Sequence, residues 1–211
     1  MKLKQKIGII GRGFVGSAVE FGFSPNTGCD TEVRVYDKDP SKSLNSLEET
    51  INNSDIIFLS VPTPSNKDGS MNLDIVRQVL SDISEVSKNK NGIILLRSTV
   101  IPGTTRKLQL EFDNLNLIFN PEFLTERSAK FDFINQPRFI LGCGDTVMDR
   151  YCSEQVAELF RDRFGESIPV VETNYETAEL IKYMNNCYFA TKVSFLNEMY
   201  QISQKSGVDW E

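Results

Sequence analysis

Three glycines in the first part of the chain have the spacing of a turn that binds phosphate groups. Gly11, Gly13 and Gly16 follow an apolar run at residues 7–10 in the pattern G-x-G-x-x-G. The first glycine allows a tight turn out of a strand, the second lets the backbone approach a pyrophosphate, and the third lets the next helix pack closely. Because the amides at the start of that helix face the phosphates, the pattern predicts binding of a dinucleotide.

An acidic residue at the end of the next apolar run supports this interpretation. Residues 32–36 are predicted to form a strand, and Asp37 follows it directly. A carboxylate at this position can accept hydrogen bonds from both hydroxyls of the adenosine ribose, which favours NAD over NADP. The alternative is a glycine-rich turn with a capping Asp, but the order strand, turn, helix, strand and Asp favours the dinucleotide.

Further polar side chains that could do chemistry follow later strands. Thr99 follows the fourth predicted strand, and Glu122 and Glu126 follow the fifth, at the end where α/β sheets bind ligands. Lys182 and Asn186 lie one turn apart on one face of a predicted helix. Their ammonium and amide groups are donors suited to an alkoxide or oxyanion. The alternatives, a solvated lysine and carboxylates that cap local amides, remain open at this point.

Strands that alternate with helices must position these groups. The predicted strands are residues 7–10, 32–36, 55–61, 92–96, 115–119, 139–142 and 169–171. The predicted helices are residues 14–23, 44–51, 73–87 and 149–164, with one more that begins at residue 102. This alternation predicts an α/β fold with a doubly wound, mostly parallel sheet of the Rossmann type. Two prolines around Thr63 hold a rigid loop at the end of the third strand.

The last element is a single long helix. Thr173 and Glu176 are predicted to form a capping box, and nothing breaks the helix before Gly207. Its apolar residues occupy more than one face, so it requires partners on more than one side. We predict a dinucleotide-binding domain at 1–172, a dimerisation helix at 173–206 and a truncated tail at 207–211. We expect a missing domain or a second copy of the chain to cover the helix.

Composition excludes several function classes. The 211-residue chain carries a net charge of −6, which argues against a nucleic-acid or anionic-membrane surface. No apolar run reaches the roughly 20 residues of a membrane span, and the basic start of the chain does not resemble a signal peptide, so we expect the cytoplasm. The chain contains no histidine, which excludes a histidine base. Its four cysteines are scattered, so we expect neither a metal site nor a disulfide framework.

The sequence resembles the UDP-glucose/GDP-mannose dehydrogenase family along nearly its whole length. The shared motifs are the glycine turn, Val61-Pro-Thr-Pro64, Ser98-Thr-Val100, Asn120-Pro-Glu-Phe-Leu124 with Glu126, and Ala178-Glu-Leu-Ile-Lys182 through Asn186. Members of this family oxidise the C6 alcohol of a nucleotide sugar to the acid with two NAD molecules. The resemblance implies an NAD site formed by Gly11, Gly13, Phe14, Val15, Gly16, Asp37, Val61, Pro62, Thr63, Thr99 and Glu126.

The resemblance also implies catalytic roles. Glu122 would position cofactor and substrate groups, and Glu126 would orient or activate a water molecule, either directly or through Thr99. Lys182 and Asn186 would stabilise the developing oxyanions. The substrate would be a UDP- or GDP-sugar, and the long helix would mediate a homodimer.

Two departures from the family pattern limit what the sequence predicts. Thr125 stands where members often have Arg. Members also carry a nucleophilic cysteine and a C-terminal nucleotide-sugar domain, and both would lie beyond residue 211. We therefore expect this chain to bind NAD as part of a nucleotide-sugar dehydrogenase but to turn over no sugar alone. The alternatives are a cysteine-free dehydrogenase of the 6-phosphogluconate or 3-hydroxyisobutyrate type and a non-catalytic module for NAD binding or dimerisation.

Overall fold

The computed structural model describes residues 5–88 and 91–210, and strands alternate with helices around one seven-stranded sheet. Residues 1–4 of the predicted first domain and residue 211 of the predicted tail lie outside this part of the chain. The strands are β1 (Ile7–Ile10), β2 (Val33–Tyr36), β3 (Ile56–Leu59), β4 (Ile93–Leu96), β5 (Asn116–Phe119), β6 (Phe139–Cys143) and β7 (Val170–Asn174). The helices are α1 (Phe14–Gly22), α2 (Leu47–Asn52), α3 (Asp74–Val86), α4 (Thr104–Glu111), α5 (Ala129–Ile134), α6 (Val147–Phe164) and α7 (Tyr175–Ser206).

The sheet is mostly parallel, as predicted. Its strand order is β2-β1-β3-β4-β5-β6-β7, and only the contact between β5 and β6 is antiparallel. The chain order reverses between β1 and β3, which is where α/β sheets open a crevice for ligands. The three central strands β1, β3 and β4 are buried along their whole length, so they are apolar throughout.

Helices cover both faces of the sheet. One core packs α1, α5 and α6 on the sheet and contains a group of phenylalanines in which Phe139 and Phe160 stack with ring centroids 3.9 Å apart. The other core packs α2, α3, α4 and the start of α7 on the opposite face. The two layers of helices fix the carboxyl ends of the parallel strands at one edge of the sheet.

One short helix was missed and one local prediction was wrong. The short helix α5 was not predicted, because its six residues are too few to show a clear helical period. The predicted capping box at Thr173 and Glu176 is absent, since Thr173 still belongs to β7 and Asn174 is the N-cap of α7, accepting a bond from the Thr177 amide. Glu176 instead forms a two-point ion pair with Arg106 on α4, at 2.6 and 3.0 Å.

Helix α7 is 32 residues long and packs on the sheet only through its first turns. Tyr175 and Ala178 belong to the core, and the Tyr175 hydroxyl donates to the Leu117 carbonyl oxygen at 2.8 Å. Beyond Lys182 most of the side chains are exposed, including several large apolar ones. These exposed residues are Tyr183, Met184, Tyr188, Phe189, Val193, Phe195, Leu196, Met199, Tyr200 and Ile202.

Other features of the described residues bear on function. No helix among residues 5–88 and 91–210 is long and apolar enough to cross a membrane. Within the same ranges no group of three His, Cys, Asp or Glu side chains could hold a metal ion. All four cysteines are free thiols; Cys29 and Cys152 are buried, and burial raises the pKa of Cys152 to about 11.

Candidate active site

The glycine turn joins β1 to α1, and its three glycines meet different surroundings. Gly11 has φ +90°, and a Cβ there would lie 2.1 Å from the carbonyl oxygen of Ser60. A Cβ on Gly16 would lie 2.0 Å from the carbonyl oxygen of Gly11, so this glycine allows α1 to pack against the turn. A Cβ on Gly13 would meet nothing within 4 Å. Gly11 and Gly16 are therefore required by the fold, whereas Gly13 opens to the space that a pyrophosphate would fill.

Asp37 lies at the end of β2, directly beside this turn. Its carboxylate accepts the Arg12 amide at 2.6 Å and the Asp39 amide at 2.8 Å, one on each oxygen. These bonds hold the side chain in a fixed orientation and leave further acceptor capacity on both oxygens. The side chain is half-buried. It can accept hydrogen bonds from ribose hydroxyls, as the sequence predicts.

The loops after β3 and β4 are bonded to each other. The Ser98 hydroxyl donates to the Val61 carbonyl oxygen at 2.6 Å and accepts the Val61 amide at 3.2 Å. The Thr63 hydroxyl donates to the Thr99 carbonyl oxygen at 2.8 Å. The predicted cofactor residues Val61, Pro62, Thr63 and Thr99 therefore lie on two loops that are hydrogen-bonded to each other, on the same edge as the glycine turn.

A buried ion pair lies where β5 meets α7. The Lys182 ammonium is 2.7 Å from the Glu122 carboxylate and also donates to the Glu122 carbonyl oxygen, and both side chains are at most one-tenth exposed. These two bonds use two of the three N–H donors of the ammonium. The Glu122 carboxylate also accepts the Leu124 amide at 2.8 Å, which fixes its position. Lys182 is thus held at a defined point of the sheet edge, and the solvated alternative is wrong.

Sequence reasoning missed a second buried cation beside this pair. Arg97 is fully buried at the end of β4, where it donates to the Asn120 side chain and packs over the Phe58 and Phe133 rings. Burial lowers the pKa of Arg97 to about 10, and the nearby Glu122 charge opposes that effect. Asn120 also donates to the Ile140 carbonyl oxygen at 2.9 Å. The sequence feature that could have indicated Arg97 is its position as a charged residue directly after four apolar residues.

Glu179 is another buried group that the sequence did not indicate. It lies one turn before Lys182 on α7, and its carboxylate accepts the amides of Gly103 and Thr105 at the start of α4. Burial raises the pKa of this carboxyl group. A carboxylate at a helix N-terminus satisfies amides that have no partner within the helix. Glu179 therefore holds the start of α4, whose N-cap Gly103 follows Thr99 by four residues, against the helix that contains Lys182.

The structure brings some of the predicted catalytic residues together and leaves others apart. Glu122 and Lys182 are in contact, and Thr99 is half-buried two strands from the glycine turn on the same edge. Glu126 is exposed at the start of a short 3-10 turn, Glu126–Ser128. Asn186 is exposed one turn beyond Lys182. The edge from the glycine turn to Glu122 crosses three strand spacings, about 14 Å.

The predicted cofactor residues of the turn and its neighbouring loop are accessible. Phe14 and Pro62 are exposed, while Val15 and Val61 are half-buried. Together with the open space at Gly13 and the fixed carboxylate of Asp37, these positions suit the pyrophosphate and ribose of a dinucleotide.

Family models match two parts of the chain. Residues 41–163 match the model of the UDP-glucose/GDP-mannose dehydrogenase family, NAD binding domain, and residues 176–211 match the central domain of the same family. The chain belongs to the UDP-glucose/GDP-mannose dehydrogenase family. The family is one of NAD-dependent dehydrogenases that act on CH–OH groups, and NAD is the cofactor of its first domain.

Individual relatives cover almost all of the chain, including the glycine turn. An uncharacterized protein of Methanocaldococcus jannaschii is 35% identical and aligns with 97% of the chain and 26% of its own length. UDP-glucose 6-dehydrogenase AglM of Haloferax volcanii is 31% identical over 97% of the chain and 56% of its own length. The crystal structure of a GDP-mannose dehydrogenase ternary complex from Pseudomonas aeruginosa superposes with a TM-score of 0.81, at 26% identity over 97% of the chain and 54% of that protein. The chain thus spans between a quarter and just over half of these relatives.

The different surroundings of the glycines generate the first prediction. Gly13→Val adds a side chain in open space with extended backbone, so we expect the free energy of unfolding to stay within about 1 kcal/mol of wild type. The same side chain blocks the approach of a pyrophosphate, so NAD affinity should fall at least about tenfold. Urea unfolding and calorimetric NAD titration measure the two quantities. Gly16→Ala is the matched control, and it should lose stability; unchanged NAD affinity in Gly13→Val would contradict the assignment.

The buried ion pair generates the second prediction. Lys182→Met leaves the Glu122 carboxylate buried without its cation, and we expect a loss of about 3–5 kcal/mol in the free energy of unfolding. The double variant Lys182→Met/Glu122→Gln should recover part of that loss. Lys88→Met, which breaks an exposed ion pair with Glu48, should cost less than about 1 kcal/mol. Equal losses in urea unfolding of Lys182→Met and Lys88→Met would show that the pair is not buried in solution.

Proposed function

We propose that this chain supplies the NAD-binding part of an enzyme that oxidises the C6 alcohol of a UDP- or GDP-sugar to the acid. The observation that supports this most directly is the buried Lys182–Glu122 pair on the same sheet edge as the glycine turn. A fixed ammonium within reach of a dinucleotide site is the feature that oxidation of an alcohol requires, because negative charge develops on the reacting oxygen.

The proposed roles follow from the donors and acceptors of these residues. Bound NAD would supply the acceptor for the hydride that leaves the carbon, and the hydroxyl proton of the alcohol would pass to solvent water. The two bonds to Glu122 leave the third N–H of Lys182 without a partner in that pair. This N–H donates to the substrate oxygen that becomes an alkoxide and then a carbonyl. Glu122 holds the ammonium in place, and the exposed amide of Asn186 adds a second donor from the same side of α7.

In the second oxidation the oxygen of a water molecule bonds to the carbonyl carbon, a second NAD would supply the acceptor for the hydride that leaves, and the protons of the water pass to solvent. We assign the orientation of this water to Thr99 and Glu126. Glu126 is exposed, so its carboxylate can reach a water at the mouth of the site. Thr99 lies on the loop that Ser98 and Thr63 bond to the loop after β3, so its backbone has a fixed position beside the proposed cofactor surface. The proposed NAD contacts are those predicted from the sequence, with Asp37 at the adenosine ribose and Gly13 at the pyrophosphate.

The family match argues against a cysteine-free dehydrogenase of the 6-phosphogluconate type, and a substrate panel tests this. Pure chain is given NAD with UDP-glucose, GDP-mannose or 6-phosphogluconate, and NADH is followed at 340 nm. The panel is repeated with residues 1–211 fused to the C-terminal part of the Haloferax UDP-glucose 6-dehydrogenase, which extends beyond the match. We expect NAD binding by both proteins and NADH from a UDP- or GDP-sugar with the fusion. NADH from 6-phosphogluconate, or no NAD binding, would contradict the proposal.

We also propose that the exposed apolar part of α7 binds a second copy of the chain. A helix that exposes large apolar side chains over six turns is a typical interaction surface. The length of the surface and the match of residues 176–211 to the family's central domain support self-association.

Sedimentation at micromolar concentration tests the dimer. We expect twice the mass of the chain for wild type, and a monomer for the double variant Phe195→Glu/Leu196→Glu, because two buried carboxylates oppose association. Phe131→Glu alters an equally exposed phenylalanine on α5 and should remain a dimer. A monomeric wild type would contradict the proposal.

A further inference from the structure

Arg12 places a guanidinium group beside the ribose end of the proposed NAD site. It lies between Gly11 and Gly13, and its own amide donates to the Asp37 carboxylate at 2.6 Å. A guanidinium is a planar donor fork that matches a phosphate group, and an arginine near this carboxylate is what a 2′-phosphorylated dinucleotide requires. The chain therefore carries both the carboxylate that favours NAD and a cation that could favour NADP.

The guanidinium of Arg12 is already occupied by a carboxylate of the protein. Its Nε and one terminal nitrogen donate to the two oxygens of Glu20 at 2.8 and 2.6 Å, and the other terminal nitrogen donates to the Lys42 carbonyl oxygen at 3.1 Å. The two-point pair with Glu20 raises the pKa of Arg12. Both side chains are only about a quarter exposed. The two N–H groups of Arg12 that could donate to a phosphate are thus already bonded to Glu20.

The position of Glu20 is not explained by the stability of its own helix. Glu20 lies in the last turn of α1, where the helix dipole disfavours a negative charge. It is eight residues from Arg12, so the pair crosses from the helix to the glycine turn and is not a helical i,i+4 contact. Its evident consequence is the orientation of the Arg12 side chain.

The other charges around the ribose position balance one another. The glycine turn, α1 and the loop after β2 hold three acidic and three basic side chains: Glu20, Asp37 and Asp39, and Arg12, Lys38 and Lys42. Lys42 also lies 3.8 Å from the Asp39 carboxylate. A ribose with two neutral hydroxyls fits this balance, whereas a 2′-phosphate dianion meets no surplus of positive charge.

We propose that Glu20 is a specificity-determining residue that excludes 2′-phosphorylated dinucleotides by occupying Arg12. Asp37 excludes the phosphate by charge repulsion, and Glu20 removes the cation that could compensate for it. The inference rests on the proposed binding of NAD between Gly11 and Asp37. It implies that a phosphate site exists in this chain and becomes available when both carboxylates are removed.

Calorimetric titration with NAD and NADP at one salt concentration tests this in the wild type and four variants. Asp37→Asn removes the ribose carboxylate charge and keeps the side chain's shape. The double variant Asp37→Asn/Glu20→Ala should bind NADP at least about tenfold more tightly than Asp37→Asn. Its NAD affinity should stay within about threefold of that of Asp37→Asn. Addition of Arg12→Gln should remove the gain. The control Asp37→Asn/Glu111→Ala removes an exposed carboxylate paired with Arg77 and should leave NADP affinity unchanged.

The outcomes separate this inference from the proposed function. A double variant whose NADP affinity stays within about twofold of Asp37→Asn, or a gain that survives Arg12→Gln, would overturn the role of Glu20 while wild type still binds NAD. A wild-type chain that binds neither dinucleotide would overturn the proposed function and this inference with it. Where the alanine variant loses NAD binding through misfolding, Glu20→Gln keeps the side chain's shape and gives the same comparison.

Discussion

A lysine ammonium that is buried must meet a counter-charge, and this constraint determines how the two parts of the chain fit together. Lys182 on α7 meets Glu122 after β5, so the long helix can begin at only one place on the sheet. The neighbouring contacts follow from that position. Glu179 reaches the amides that start α4, and Glu176 pairs with Arg106 on the same helix. These contacts join the start of α7 to the start of α4, whose N-cap lies four residues after Thr99.

Much of the fold was predictable because each central strand is a continuous run of apolar residues. Runs such as residues 56–59 and 93–96 are apolar throughout, and only a sheet covered on both faces buries such runs. The errors fall where local signals compete. Thr173 has the side chain of an N-cap, but Asn174 takes that position because β6 pairs with β7 as far as Asn174. Helix α5 is too short to have a period, and it forms because Phe133 packs among other phenylalanines.

The candidate site was predictable in its residue types and less so in its contacts. Motif spacing indicated Gly11, Gly13, Asp37, Glu122 and Lys182, since each stands at the end of a strand or on one face of a helix. Spacing could not show that Lys182 is paired, because its partner lies 60 residues away in the sequence. The position of Arg97 after an apolar run marks it as a candidate, but that position could not show its burial, because an arginine after an apolar strand is ordinarily solvated. The functional roles of the residues indicated by motif spacing, and those of Thr99, Glu126 and Asn186, remain predictions.

Helix α7 is fixed at one end and exposed along the rest, so a small rotation at the fixed end produces a large displacement at the other end. The docked segment ends at Lys182, and residues 183–206 extend about 36 Å beyond it. A tilt of about five degrees at the docked end displaces the far end by about 3 Å at this length. A protein that binds the far end of α7 and displaces it by this distance therefore rotates the docked end, which carries Lys182, by only a few degrees. Because α7 is one continuous helix, it connects any partner of the exposed segment to the polar edge of the sheet.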